Sequence, residues 1–172
     1  MDLEPAIRTR RTHKVYGPEP VAPETVAELV ELARWAPNHH LTNPWRFRLL
    51  GRSALERLKA IAEEAKPGSA AKLDRAPTLV AVTVKRSGDA GQDREDLLAT
   101  GVAAYIVLLA AHARGLAGYW RTVPVLDSPA GRAALGIGDD EEAVGLLYLG
   151  RPRQEQRVPE RAGVEEIFTE LD

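Results

Sequence analysis

The sequence predicts an α+β domain with helices packed on a mixed sheet, and three observations lead there. Apolar residues recur at helical spacing in two long segments, around residues 26–33 and 93–114. Residues 78–84, Thr-Leu-Val-Ala-Val-Thr-Val, are β-branched and almost wholly apolar, as a strand buried on both faces must be. The order is helices first and then strands alternating irregularly with helices, so a regular βαβ series is absent.

Each element has a local reason. A short helix is expected over residues 3–11, capped by Asp2. A second begins at Pro23, places Val26, Leu29, Val30 and Ala33 on one face, and is stopped by Pro37, whose preceding residue resists helical dihedrals. Residues 46–50 read as a strand, with Phe47 and Leu49 alternating against Arg46 and Arg48. Ser53 and Glu56 form a capping-box signature for a helix carrying Leu55, Leu58, Ile61 and Ala62, ended by Pro67-Gly68. After the buried strand comes the longest helix, residues 93–114, closed by Gly115. Its small middle, Gly101-Val102-Ala103-Ala104, admits a close neighbour. A short strand at 119–122, a helix from Ser128-Pro129 to Gly136 and a strand at 143–149 complete the core set. The tail from Arg151 is polar until Val164-Glu165-Glu166-Ile167-Phe168. It cannot form a core of its own, so it must pack on this domain or on a partner subunit.

Length and composition bound the function. With 172 residues, no internal repeat and no long linker, the chain reads as one domain over residues 1–172. Charged residues at 28% and hydrophobic residues at 44% are ordinary globular usage, which argues against disorder. A net charge of −2 supplies no pull toward nucleic acid or anionic membrane. The absence of cysteine removes disulfides, thiolate metal sites and a cysteine nucleophile, and fits a cytoplasmic protein. The N-terminus lacks the layout of a signal peptide, and the apolar stretch 101–113 is too short to span a bilayer.

Several standard sites are missing. No G-x-S-x-G and no G-x-x-x-x-G-K-S/T occurs. Gly136-Ile137-Gly138 begins like a dinucleotide fingerprint, but Glu141 stands at its third glycine. His13, His39, His40 and His112 lack zinc-ligand spacing, so no metal site is expected.

Three clusters remain. Arg10-Arg11-Thr12-His13-Lys14 lies where a helix ends, and its cations either complement the macrodipole or capture a phosphate. Arg10, Thr12 and Lys14 share one side if the chain extends there, which favours a ligand. The loop Ala36-Pro37-Asn38-His39-His40-Leu41-Thr42-Asn43-Pro44-Trp45-Arg46-Phe47 is too polar and too aromatic for a simple reversal. Its prolines, Trp45 and Phe47 read as scaffold, whereas Asn38, His39 and Asn43 need hydrogen-bonding partners and suit a flat, polar-edged ligand. In Gly118-Tyr119-Trp120-Arg121-Thr122 the Arg-Trp pair is either cation–π packing or a glycine-flanked strand end open to a ligand.

In this order, the clusters resemble the FMN-dependent nitroreductase family. Arg10-Arg11-Thr12-x-Lys14-x-Tyr16 resembles its opening R-R-S-x-R/K-x-F/Y. Ala36-Pro37 with Asn43-Pro44-Trp45-Arg46-Phe47 resembles A-P-S-x-x-N-x-Q-P-W-x-F. Residues 108–120 resemble L-x-A-x-x-x-G-L-G-x-x-W, Gly150-Arg151-Pro152 a late G-x-P, and Arg157-Val158-Pro159 the closing R-L-P. Asn38-His39 and Trp120-Arg121-Thr122 look closest to a short branch carrying A-P-D-H and W-R-S. Two positions depart from the wider family: Leu41 replaces an asparagine, and Asn43 replaces a glutamine of longer reach.

The resemblance implies a nitroreductase-like fold with a mainly antiparallel mixed sheet. It also implies a homodimer exchanging C-terminal tails, here residues 151–172, with FMN at the subunit interface. Arg10, Arg11, Thr12 and Arg157 would hold the phosphate and ribityl chain. Lys14 would lie at the N1/C2 edge and stabilise the negative charge gained on reduction. Trp35, Asn38, His39 and Asn43 would line the ring and ribityl side, and Trp120, Arg121 and Thr122 would approach from the strand end. The implied activity is ping-pong hydride transfer from NAD(P)H through flavin N5 to a small-molecule acceptor: a nitroaromatic, a quinone or an activated alkene. No side chain is needed as acid or base, since solvent can deliver the proton. The alternatives are another flavin reaction on the same fold, such as reductive dehalogenation or flavin breakdown, and a non-enzymatic flavin-sensing dimer.

Overall fold

The computed structural model describes residues 2–171. Helix α1 spans Leu3–Thr9 and α2 spans Pro23–Ala33, with Pro23 in the first turn as expected. Asp2 occupies the N-cap position of α1, but its side chain makes no capping hydrogen bond. Strand β1 is Trp45–Leu49, and α3 runs Arg52–Ala65. The capping box at Ser53 does not form. The Leu50 amide still pairs with the Leu79 carbonyl at 2.9 Å, so the chain leaves the sheet at Gly51, which becomes the N-cap and puts Ser53 inside the first turn.

Strand β2 is Thr78–Lys85, and its first seven residues are buried. Helix α4, Ala90–Ala113, opens three residues before the expected start, because the Asp89 carboxylate accepts the Gln92 amide at 2.8 Å and caps it there. The buried Asp93 pairs with the half-exposed Arg86 at 3.1 Å, and also accepts the Ser87 amide at 2.7 Å. At 24 residues α4 is long and apolar enough to cross a membrane, yet Ala103, Ala104, Val107 and Ala111 are fully buried in the domain. Strand β3 is Ala117–Arg121, α5 is Pro129–Leu135, β4 is Glu141–Gly150 and α6 is Val164–Ile167. Ser128 caps α5 by accepting the Gly131 amide, and Gly136 ends it in the left-handed region.

The strands lie in the order β1-β2-β4-β3, and all three pairings are antiparallel. The parallel component of the sheet is an isolated bridge between Thr12 and Gly118 at the β3 edge. Helices cover both faces, which explains why residues 79–82 of β2 and 143–150 of β4 are apolar. On one face α2 and α4 place Leu29, Ala33, Ala103 and Val107 against Val80, Val82 and Leu147. On the other, α3 and the segment before α5 place Leu58, Ala62, Val125 and Leu126 against Leu79, Leu146 and Tyr148. The β2–β4 register shifts at Val82/Thr83, opposite Gly145, whose φ is 143°. A Cβ on Gly145 would lie 2.7 Å from both the Arg121 carbonyl oxygen and the Trp120 indole nitrogen, so glycine is required where β3 presses closest.

Candidate functional site

The N-terminal cluster is built by the way α1 stops. The helix ends at Thr9, short of the expected Arg11, because Arg10 turns to ψ 128° and the chain extends toward the sheet. Thr12 then bridges Gly118, and the His13 amide donates to the Gly118 carbonyl at 3.2 Å. The Arg10 guanidinium lies 5.8 Å above the Tyr105 ring on α4. Arg11 donates to the Arg8 and Arg10 carbonyls at 2.6 and 2.9 Å, closing the C-terminus of α1 as the macrodipole reading required. The Thr9 hydroxyl donates to the Pro5 carbonyl and so accepts from His112 Nε2 at 2.8 Å. Burial lowers the pKa values of His13 and His112, and neighbouring positive charge lowers them further. Both imidazoles therefore favour the neutral form, leaving Arg10, Arg11 and Lys14 as the cations of this corner. Among the described residues none of the three pairs with a carboxylate. A concentration of unpaired positive charge at an exposed strand edge fits a phosphate-bearing group.

At the other end of β3 the triplet divides. Trp120 turns toward α4, packs by Gly101 and donates its indole N–H to the Val144 carbonyl at 3.1 Å. Arg121 leaves on the opposite face, where its Nη1 is buried without a partner. The fully buried Tyr148 hydroxyl also lacks a hydrogen bond. Burial raises the Tyr148 pKa, and the nearby Arg121 charge opposes that rise. Thr122 is exposed just past the strand.

The 36–47 loop is organised by a residue that sequence reasoning passed over. Asp96 on α4 is 2% exposed, and its Oδ1 accepts from Thr42 at 2.6 Å, Gln92 at 2.9 Å and Asn38 at 3.4 Å. Asn38 in turn accepts the Asn43 amide at 2.6 Å. This network holds His40, Leu41 and Asn43 at φ 56°, 52° and 48°, conformations that non-glycine residues adopt at a cost. His39 reaches Glu95 at 2.5 Å and stacks on His40. Trp35 is 75% exposed and Leu41 77% exposed, both on the outer surface. The signal that could have revealed Asp96 is its position, one turn after Asp93 on the helix face that Ala99, Thr100 and Ala103 carry into the core.

Within one chain the structure brings Arg10, Thr12 and β3 together, but not the loop. Asp96, which anchors the loop, and Tyr105, which carries Arg10, are separated along α4 by roughly 14 Å at ~1.5 Å per residue. Arg157 is exposed in the tail and makes no hydrogen bond or ion pair to the cluster.

Residues 7–151 match the Nitroreductase family. The chain belongs to the nitroreductase family. A relative in Escherichia coli K12, named "Putative NAD(P)H nitroreductase YdjA", is 30% identical over 162 residues, covering 88% of each chain. The crystal structure of a nitroreductase-like family protein from Bacillus cereus superposes with a TM-score of 0.90 over all of this chain and 97% of that one, at 23% identity. A structure from Desulfovibrio desulfuricans in complex with FMN gives a TM-score of 0.80 at 25% identity, covering 97% and 95% of the two chains. The nitroreductase match takes in all the predicted site residues except Arg157, which lies in the arm beyond Arg151.

Proposed function

We propose that this protein is an FMN-dependent NAD(P)H oxidoreductase whose sites form between two copies of the chain. The observation that carries this reading is the unpaired cation set at Arg10, Arg11 and Lys14, placed against β3 by the Thr12–Gly118 bridge in a chain of nitroreductase fold. Arg10 and Thr12 would hold the phosphate end, with Arg11 and Arg157 adding charge, and Lys14 would lie toward the N1/C2 edge. Trp120 keeps the strand end in place, and Arg121 and Thr122 bound the site beyond it. FMN held there would supply the two-electron chemistry between a nicotinamide and a nitroaromatic, quinone or activated alkene.

A second copy brings in what one chain leaves apart. Leu98, Val102 and Tyr105 are exposed on α4 at spacings of four and three residues, an apolar stripe with no cover in the monomer. Two α4 helices crossing antiparallel on this stripe set the Asp96-anchored loop of one subunit near the Arg10 corner of the other. Trp35, Asn38, His39 and Asn43 then line the ring. The arm supports the same reading: Val164 and Ile167, on a four-residue helix that water alone does not sustain, and Phe168 just after it are 70%, 74% and 67% exposed. Covering each contributes about 1.5–3 kcal/mol. A cytoplasmic location fits the nicotinamide supply.

Purified protein should be a dimer that is yellow or turns yellow on addition of FMN. Anaerobic stopped-flow should show the flavin bleached by NADPH or NADH and reoxidised by a nitroaromatic. Flavin that ignores both nicotinamides refutes the enzymatic reading and leaves a flavin-sensing dimer. Loss of the flavin itself during turnover identifies a flavin-consuming reaction. Arg10→Ala should weaken FMN binding about ten- to a hundredfold, the worth of a charged hydrogen bond; unchanged affinity moves the phosphate elsewhere.

A further inference from the structure

A cavity of about 340 Å³ opens between the end of α3, the turn at Ala70–Lys72 and the segment that follows β3. Its walls are apolar, with Ala62, Leu73 and Val125 among them, and its charged residues are Lys66, Lys72 and Arg121. No carboxylate lines it, and none of the three cations takes part in an ion pair among the described residues. Arg121 is the decisive member, since its Nη1 is buried without a partner. A guanidinium donor out of water and unmatched is costly, and an anion is what relieves it.

The wider charged depression at the far end of the sheet differs in kind. There Arg86 is paired with Asp93 and Glu142, and Arg132 donates to the Gly138 and Glu141 carbonyls. It is satisfied internally and asks for no ligand. The cavity at Arg121 combines unmatched positive charge with apolar walls. Its volume is at the small end for ligand sites, enough for one aromatic ring and too small for a dinucleotide.

We propose that this cavity binds a small aromatic carboxylate, its carboxylate on the Arg121 fork between Lys66 and Lys72 and its ring on the apolar wall. Arg121 leaves β3 on the face opposite Trp120, so the cavity opens on the side of the sheet away from the α4 stripe, among the core residues Ala62, Leu73 and Val125.

Calorimetric titration of 4-nitrobenzoate and of neutral nitrobenzene tests the binding, in both flavin-free and FMN-loaded protein. The carboxylate should bind at least tenfold more tightly, and this preference should shrink about tenfold in the Lys66→Gln/Lys72→Gln double variant. Lys66 is exposed and Lys72 half-buried, and neither makes an ion pair among the described residues, so the variant tests charge with little risk to folding. Equal affinity for the two probes, or an unchanged preference in the double variant, overturns the proposal. Carboxylate binding in a protein that takes up no FMN would refute the flavin reading while leaving the anion site standing.

Discussion

Glu141→Gln is the substitution whose effect can be worked furthest from the structure. Glu141 begins β4 with its side chain 11% exposed. Burial pushes its carboxyl pKa up, but hydrogen bonds from Arg48 and Thr83, with the Arg48 charge, outweigh that and hold it at about 2 instead of 4.5. Arg48 grips both carboxylate oxygens, at 2.6 and 2.8 Å. Because the folded value is depressed, the contribution is fully present above the unfolded pKa and is lost as pH falls toward 2. At 1.36 kcal/mol per pKa unit it amounts to about 3 kcal/mol at pH 7, and only about 1.5 kcal/mol remains at pH 3. Urea unfolding of wild type and Glu141→Gln, at one protein concentration and at pH 7, 5, 4 and 3, reads this directly. Other titrating carboxylates act equally on both proteins and cancel in the difference. The gap should be near 3 kcal/mol at neutral pH and roughly halve by pH 3. A gap that stays constant across the series would refute the argument, since it would show a packing loss with no proton linkage.

Three further outcomes follow from the geometry. Asp96→Ala removes the acceptor shared by Thr42, Gln92 and Asn38, so amide exchange over residues 38–43 should quicken and stability fall by about 2–3 kcal/mol; unchanged exchange would mean the loop holds itself. Gly131→Ala sets a Cβ 1.7 Å from the Val125 carbonyl oxygen, which cannot be accommodated without moving α5. It should cost about 1–3 kcal/mol, a drop of roughly 2–10 °C in Tm by calorimetry, and an unshifted melt would contradict the packing described. Leu98→Lys places a charge on the exposed α4 stripe and should give a monomer by light scattering together with lost FMN binding; a stable dimer would place the interface on another surface.

The buried frame was readable because hydrophobic pattern alone decides it: β2, the apolar face of α2 and the punctuation of α5 by Ser128 and Gly136 are where the residues placed them. Helix ends were less readable, since a competing tertiary bond decides them. Arg10 extends to let Thr12 reach β3, and Leu50 stays in the sheet until Gly51, so in both places a plausible cap or helical turn gives way to sheet pairing. Asn38 looked like a free ligand-binding amide, yet its side chain binds Asp96, Thr42 and the Asn43 backbone, a role visible only once a carboxylate 58 positions away lies beside it. The facing of Trp120 and Arg121 depends on strand alternation, so an adjacent pair that reads as cation–π packing in sequence is divided between two cores.

Helix α4 anchors both halves of the proposed site, the loop through Asp96 near its start and the N-terminal corner through Tyr105 and His112 further on. It therefore acts as a gauge rod. One residue added between Asp96 and Tyr105 would turn everything beyond it by about 100° and advance it by ~1.5 Å, swinging Arg10 away from its counterpart loop. Growth and trimming elsewhere, in the loops after α2 and β3 or in the arm, leave that spacing untouched. Length variation among chains of this architecture should accordingly gather in the loops and spare the middle of α4.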